Sequence, residues 1–294
     1  MPTLLDFRRR IRSVRNTQQI TRAMKFIAAA RLRRAQEKAV SLRPYARGIR
    51  EVLRSAMSRV EHPELHPLLA PRPEDKILVL VASGERGLCG AFNANVLRRA
   101  YEFLREHKGQ PLEVITIGKK GRDAFRKRSW KIAGEYIDAT ARAERSKARE
   151  IAGEAMRIYQ SNQADSVYLI YNEFKNVVSQ VVRVEKLLPL EREAAAPAKD
   201  AAHTSESSVV DYVYEQPALE IFNTIVPRYV EIMVYRMLAE SSAAEHAARM
   251  TAMESATSNA SEVIDALTLH MNKVRQAAIT REIIEVVSGA ASAE

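Results

Sequence analysis

RYVEIMVYRMLAESSAAEHAARMTAMESATSNASEVIDALTLHMNKVRQAAITREIIEVVS, Arg228 to Ser288, runs 61 residues without a glycine or a proline. As one α-helix it would be a rod of about 90 Å. The opening of the chain has a counterpart, Thr3 to Arg43, with 41 uninterrupted residues, or about 60 Å of helix. Globular helices average three or four turns, and isolated ones are marginal in water. Two runs this long, one near each end, are therefore predicted to lie along each other.

The apolar spacing supports this. Leu4, Phe7, Ile11 and Val14 step by three, four and three, and the alternation continues through Gln18, Thr21 and Met24 to Ala28, Leu32 and Ala35. Two polar residues make the middle of this seam weak. Ile264, Leu267, Met271, Val274 and Ala278 supply a matching stripe near the other end. Beyond it, Ile279, Ile283, Ile284, Val286 and Val287 spread around most of the helix circumference. A helix apolar on several sides must be enclosed, and the N-terminal helix can cover one side only, so another protein is predicted around this tip. The serines and asparagine between Ser255 and Ser261 mark a softer turn.

Between the rods the period changes. KILVLV, Lys76 to Val81, enters a glycine-containing turn and is followed by a helical stretch from Ala91 to His107. A second strand, Leu112 to Ile117, leads through Gly118 into a short basic helix. Ala143 to Gln160 reads as helix, Ser166 to Phe174 as strand, and Val177 to Leu188 as a further strand reached through Lys175 and Asn176. Strands alternating with helices predict an α/β domain with a largely parallel sheet. The Ala-, Ser- and Glu-rich segment from Glu191 reads as a flexible connection. The expected divisions are an N-terminal coiled-coil helix at 1–60, a central α/β domain at 70–190, a connection at 191–210 and a C-terminal coiled-coil helix at 211–294.

Composition narrows the function classes. At 46% apolar the chain can bury a core, yet it has no run of eighteen apolar residues for a membrane span. Cys89 is the only cysteine, which rules out an internal disulfide and fits a reducing compartment. The net charge of +10 is concentrated: residues 1–60 hold sixteen Lys or Arg against Asp6, Glu37 and Glu51, a local +13. Such an arm suits nucleic acid, an anionic membrane surface or an acidic protein partner, or it is simply a solvated helix face. Chemical motifs are poor. Gly84, Gly87 and Gly90 are spaced GxxGxxG after a strand, which departs from the dinucleotide GxGxxG, and a tight strand-to-helix turn explains them as well. His62 and His66 are flanked by prolines, with no acidic or thiol cluster to complete a metal site. Cys89 has no evident base and reads as a small buried thiol.

Five segments carry a family resemblance. RIRSVRNTQQITRAMKFIAAARLRRAQ, Arg10 to Gln36, resembles the opening helix of the gamma subunits of F-type ATP synthases. AARMTAMESATSNA, Ala247 to Ala260, and NKVRQAAITREIIEVVSGA, Asn272 to Ala290, resemble its closing helix. Within the latter Ile279, Thr280, Glu282, Glu285, Gly289 and Ala290 fall on the family signature I-T-x-E-x-x-E-x-x-x-G-A. RGLCGAFN, Arg86 to Asn93, and DYVYE, Asp211 to Glu215, are similar to family segments in the same order.

The resemblance implies an α plus α/β fold, a long antiparallel coiled coil of the N- and C-terminal helices with a central Rossmann-like α/β domain. It implies a non-catalytic rotor subunit of the central stalk, turning with a membrane ring of c subunits and an epsilon subunit inside a ring of alpha and beta subunits that carry the catalytic sites. By position Met24, Lys25, Arg275, Gln276, Thr280 and Glu282 would touch beta subunits. Ile279, Ile283, Ile284, Val286 and Val287 would be the tip gripped by an apolar sleeve. Tyr212, Tyr214 and Glu215 would rest on the c ring and epsilon, although Gln216 separates Glu215 from the expected proline. No cofactor, metal or nucleic acid is implied, and the location would be peripheral, on the cytoplasmic face of a bacterial membrane. A rival reading, a basic coiled-coil scaffold for nucleic acid, would need stacking aromatics, and the arm has only Phe7, Phe26 and Tyr45.

Overall fold

The protein is described here by a computed structural model, for residues 3–60, 66–190 and 218–291. Its elements in chain order are α1 (Leu4–Arg59), β1 (Ile77–Ala82), α2 (Phe92–Glu106), β2 (Leu112–Ile117), α3 (Lys119–Lys127), β3 (Ile132–Tyr136), α4 (Ala139–Arg142), α5 (Arg145–Gln160), β4 (Ser166–Phe174), β5 (Gln180–Leu188) and α6 (Ala218–Ala291). They form two compact units, residues 1–30 with 249–294, and residues 31–248. The expected connection at 191–210 and the segment with Tyr212, Tyr214 and Glu215 lie outside the described residues.

Both long helices outrun their proline-free stretches. α1 continues through Pro44 for 56 residues in all, and α6 contains Pro227 near its start and spans 74. Proline costs a helix one hydrogen bond and a clash with the preceding turn, about 3 kcal/mol. It persists where packing on both sides holds the helix, as it does here between buried Ala39 and Ala46 and between Val226 and Tyr229. At its start α1 is capped reciprocally: the Thr3 amide donates to the Asp6 carboxylate at 2.9 Å and the Asp6 amide to the Thr3 hydroxyl at 3.3 Å.

In the 31–248 unit the five-stranded sheet has the order β3-β2-β1-β4-β5. β1, β2, β3 and β4 pair in parallel, and β5 returns antiparallel to β4. All six residues of central β1 are buried, as a strand covered on both faces must be. Ile77, Val79 and Val81 face Val96, Ala100, Phe103, Leu104 and Phe125 of α2 and α3. α5 buries Ala148, Ile151, Ala152, Ala155, Ile158 and Tyr159, a stripe at helical spacing. α6 is buried almost all round between Tyr229 and Ala247, with only Tyr235 and Arg236 part-exposed. Here the enclosure is supplied by the chain itself.

The β4–β5 turn is longer than expected. The Asn176 side-chain carbonyl accepts the Val178 and Ser179 amides at 3.0 and 2.7 Å, so β5 begins only at Gln180. β3 was not anticipated. It is a five-residue edge strand with Gly134 at its centre and a register shift against β2, which leaves no alternating pattern to read.

In the other unit the α1 side of the expected seam is found, whereas on α6 only Ile264 of the expected stripe is buried, Leu267, Met271, Val274 and Ala278 are half-buried, and Met253 and Ala260 were not part of it. Phe7, Ile11, Thr21 and Ala28 are buried on α1, Met253, Ala260 and Ile264 on α6, with Val14, Gln18 and Met24 half-buried between them. The pairing is antiparallel: the Phe7 ring lies 5.2 Å from that of His270, Gln18 reaches Ser261, Thr21 meets Thr257, and Lys25 pairs with Glu254.

Candidate functional site

In doubly wound sheets, ligands bind outside the carboxyl ends of the strands where the strand order reverses. Here that point lies between the ends of β1 and β4, and the chain's own side chains fill it. At the end of β4, Glu240 of α6 accepts the Phe174 amide at 3.1 Å and takes a two-pronged ion pair from Arg43 of α1, at 2.7 and 3.0 Å. The same guanidinium donates to the Phe174 carbonyl at 2.6 Å. The Glu240 side chain is wholly buried and that of Arg43 30% exposed. Hydrogen bonding to Glu240 raises the Arg43 guanidinium above its ordinary pKa. At the end of β1, Gly84 is pressed against Glu245 of α6: a methyl group at Gly84 would sit 3.1 Å from the Glu245 carboxyl carbon.

The turn after β1 is equally occupied. A nucleotide phosphate would seek the free amides at a helix start. The Lys119 amide, first in α3, instead donates to the Glu85 carboxylate at 3.0 Å, as does the Asp138 amide at 2.6 Å. Burial pushes the Glu85 carboxyl above the usual carboxylate range. The Gly121 amide donates to the Ser83 hydroxyl at 2.8 Å. RGLCGAFN is then a structural turn: Leu88 and Gly90 take positive φ, and Asn93 accepts the Gly84 amide at 2.8 Å while its amino group reaches the buried Cys89 sulfur at 3.1 Å.

Two more ion-pair groups fasten the helices to this domain. Arg50 of α1 pairs with Glu185 of β5, which also accepts the Tyr171 hydroxyl at 3.1 Å. Burial pushes the Tyr171 phenol well above its ordinary pKa. Arg145 and Arg149 of α5 converge on Glu231 of α6 at 2.8 and 3.4 Å. None of Arg43, Glu240, Arg50, Glu231 and Glu245 was singled out from the sequence. The available signal was an acid amid alanine, serine and long apolar residues, as at Glu240 in RMLAESSAAE, because carboxylates are almost never fully buried unless paired.

The weak middle of the seam proves to be a polar ladder. Gln18 donates to Ser261 at 2.6 Å, and the Thr21 and Thr257 hydroxyls meet at 2.8 Å. Thr257 and Ser261 also bond back to the Met253 and Thr257 carbonyls, and the helix continues through 255–261 without interruption. Such pairs set register at little net gain in stability. Thr257→Val alone is expected to cost about 1 kcal/mol, and Thr21→Val combined with it close to nothing, read by urea unfolding of the full chain. A double variant costing the sum of the two single ones would mean that the hydroxyls act separately.

The same register decides the state of the tip. Because Phe7 lies opposite His270 and Gln18 opposite Ser261, the start of α1 at Leu4 falls across from about Val274. α6 beyond that point has no α1 beside it. Accordingly Ile279, Ile283, Ile284, Val286 and Val287 are 49 to 72% exposed, so α1 does not cover even the one side expected of it. Arg275, Gln276, Thr280 and Glu282 are exposed on the same stretch, with the Thr280 hydroxyl on the Gln276 carbonyl at 3.0 Å. Met24 and Lys25 are half-buried and belong to the level of Glu254, which Lys25 contacts at 2.7 Å. That level is about 30 Å along α6 from Arg275, so the two groups of predicted contact residues are not brought together. Among the described residues no His, Cys, Asp and Glu cluster could hold a metal, and no helix is long and apolar enough to cross a membrane.

A family model described as ATP synthase matches residues 3–293. An ATP synthase gamma chain of Solibacter usitatus is 50% identical over 297 aligned residues covering 100% of both chains. Another, of Pelotomaculum thermopropionicum, is 44% identical over 294, again covering 100% of both. Among solved structures, a chain of the Tetrahymena thermophila mitochondrial ATP synthase central stalk and c ring superposes with a TM-score of 0.63 at 23% identity, covering 81% of this chain and 99% of its own. A chain of the Euglena gracilis mitochondrial ATP synthase superposes with 0.65 at 19% identity, covering 98% and 94%. At these identities the superpositions speak for the fold.

Proposed function

Because this chain belongs to the ATP synthase gamma-chain family, we propose that its paired helices carry torque and that its bare helical tip is a bearing held by other subunits. The chain is the non-catalytic rotor subunit of the central stalk, and ATP is made and hydrolysed on the beta subunits. It links ion flow through the membrane c ring to those sites. The proposed partners are the alpha and beta subunits around the helical pair and the c ring with epsilon at the foot, where Tyr212, Tyr214 and Glu215 would make contact. Association with the membrane is indirect, through the complex, and the cytoplasmic face is the proposed side.

The observation that carries this reading is the exposed apolar stretch Ile279 to Val287, a long one-helix extension that water should disfavour. Arg275, Gln276, Thr280 and Glu282 are proposed as polar contacts to beta-subunit loops just below that sleeve, and Met24 with Lys25 as a separate contact further along the shaft. The exposed arginines Arg8, Arg9, Arg10, Arg12, Arg15 and Arg22 of α1 would face acidic surfaces of the surrounding ring and set the approach by long-range attraction.

The test is reconstitution with alpha and beta subunits, comparing the full chain with one ending at Glu282. The truncated shaft is expected to assemble in lower yield and to deliver weaker torque in single-molecule rotation, while the complexes that form still hydrolyse ATP. Unchanged yield and torque would overturn the bearing role.

A further inference from the structure

We infer that the 31–248 unit carries a second, unassigned site: a cleft between α1, α6 and the loops around β1 and β3 that takes a nucleoside di- or triphosphate. The cleft has a volume of about 870 Å³ and is lined by Arg31 and Arg34 of α1, Arg86 of the turn after β1, Lys147 of α5, and Ile137 with Asp138 after β3. Ligand sites for small molecules span roughly 300 to 1,000 Å³, so its size is right for a nucleotide. This site borders the β1 turn but does not use its helix-start amides, which are already taken by Glu85.

Charge selects the class of ligand. Arg31, Arg34 and Arg86 are exposed, and among the described residues their guanidinium groups have no carboxylate or hydrogen-bond partner. Lys147 is held by Glu150 at 2.8 Å. Three unpaired guanidinium groups brought to one cleft from two separate elements repel each other. A multiply charged anion relieves that repulsion, and Arg matches phosphate oxygens with two parallel hydrogen bonds. The rest of the wall is mixed, with Lys38, Glu144 and His246 beside small residues and an apolar face. Ile137 is an isoleucine 43% exposed within it, an apolar plane against which a base can lie, and the exposed Asp138 carboxylate beside it can accept ribose hydroxyls, as acidic residues do in dinucleotide sites. An acidic peptide would use the cations and leave Ile137 and Asp138 without a role, so the nucleotide is the occupant that uses both the arginines and this face.

The site is tested on the purified full chain by calorimetric titration with ADP and, separately, pyrophosphate. ADP is expected to bind one per chain. Arg31→Ala with Arg34→Ala, and independently Arg86→Ala, should each weaken it at least tenfold. Ile137→Asp should weaken ADP several-fold and leave pyrophosphate unchanged, and Arg9→Ala, an exposed arginine outside the cleft, should change neither. These arginines are exposed and unpaired, so unaltered circular dichroism is expected of every Arg→Ala variant. The inference is overturned if ADP does not saturate, or if Arg9→Ala weakens it as much as the cleft changes. It is overturned likewise if pyrophosphate binds as well as ADP with Ile137→Asp silent, or if poly-glutamate displaces ADP at matched charge.

Discussion

Glu240→Ala is expected to lower the unfolding free energy of the full chain by about 3–5 kcal/mol, the cost of leaving one member of a buried ion pair alone. The substitution strands the Arg43 guanidinium and the Phe174 amide together at the end of β4, since both now bond the same carboxylate. Urea unfolding should show a lower midpoint at unchanged slope, as expected when stability alone changes. Glu240→Gln keeps the shape and one acceptor and should cost less. Arg43→Met combined with Glu240→Leu should recover most of the loss, because two charges replaced by apolar groups of similar volume no longer need each other. A cost below about 1 kcal/mol for Glu240→Ala, the value of an exposed pair, would mean that water reaches the carboxylate and that the junction is not sealed.

Gly118→Ala is expected to cost about 3–5 kcal/mol, combining overpacking with backbone strain. Gly118 sits between β2 and α3 at φ +95°, and an added methyl would lie 2.2 Å from the Ser83 carbonyl oxygen and 2.8 Å from its carbon. Neither atom can retreat, because Ser83 is buried and its amide and hydroxyl are both bonded to the Ile117 carbonyl. Gly48, inside α1, is the matched control: nothing lies within 4 Å of the place its methyl would occupy. Gly48→Ala should therefore stabilise the chain by about 0.5–1 kcal/mol through helix propensity and a less disordered unfolded state. Thermal unfolding of the two variants should move in opposite directions, and a Gly118→Ala chain as stable as the parent would refute the tight approach of α3 to β1.

Much of this was legible because it is periodic. The step of three and four from Leu4 to Ala35 named the α1 seam correctly, and LEVITI and SVYLIYNEF marked β2 and β4 to the residue. Side chains alternate across a strand and recur along a helix face by backbone geometry alone, so a local window suffices. What the window missed has local causes too. IAGEY is short, holds a glycine and lies at the sheet edge, where half-exposed residues carry no alternation. Val178 reads as strand but is drawn into the loop by the Asn176 side chain.

The candidate sites divide in the same way. The apolar circumference of Ile279 to Val287 could be read as a surface in need of a neighbour, whereas its complete freedom from α1 depends on the register of the two helices, fixed by contacts such as Phe7 with His270. Glu240 and Arg43 stand 197 residues apart in the chain, and neither motif nor spacing connects them. Short-range repetition along the chain is enough to show that two long helices pair, that α1 does so along its Leu4 to Ala35 face, and that strands alternating with helices lie between them. Folding alone reveals that α1 and α6 close the carboxyl edge of the sheet, that Glu85 occupies the helix start a phosphate would seek, and where α1 stops covering α6. Those outcomes depend on which distant groups meet when water is excluded, and burial makes a charge seek its partner wherever along the chain that partner lies.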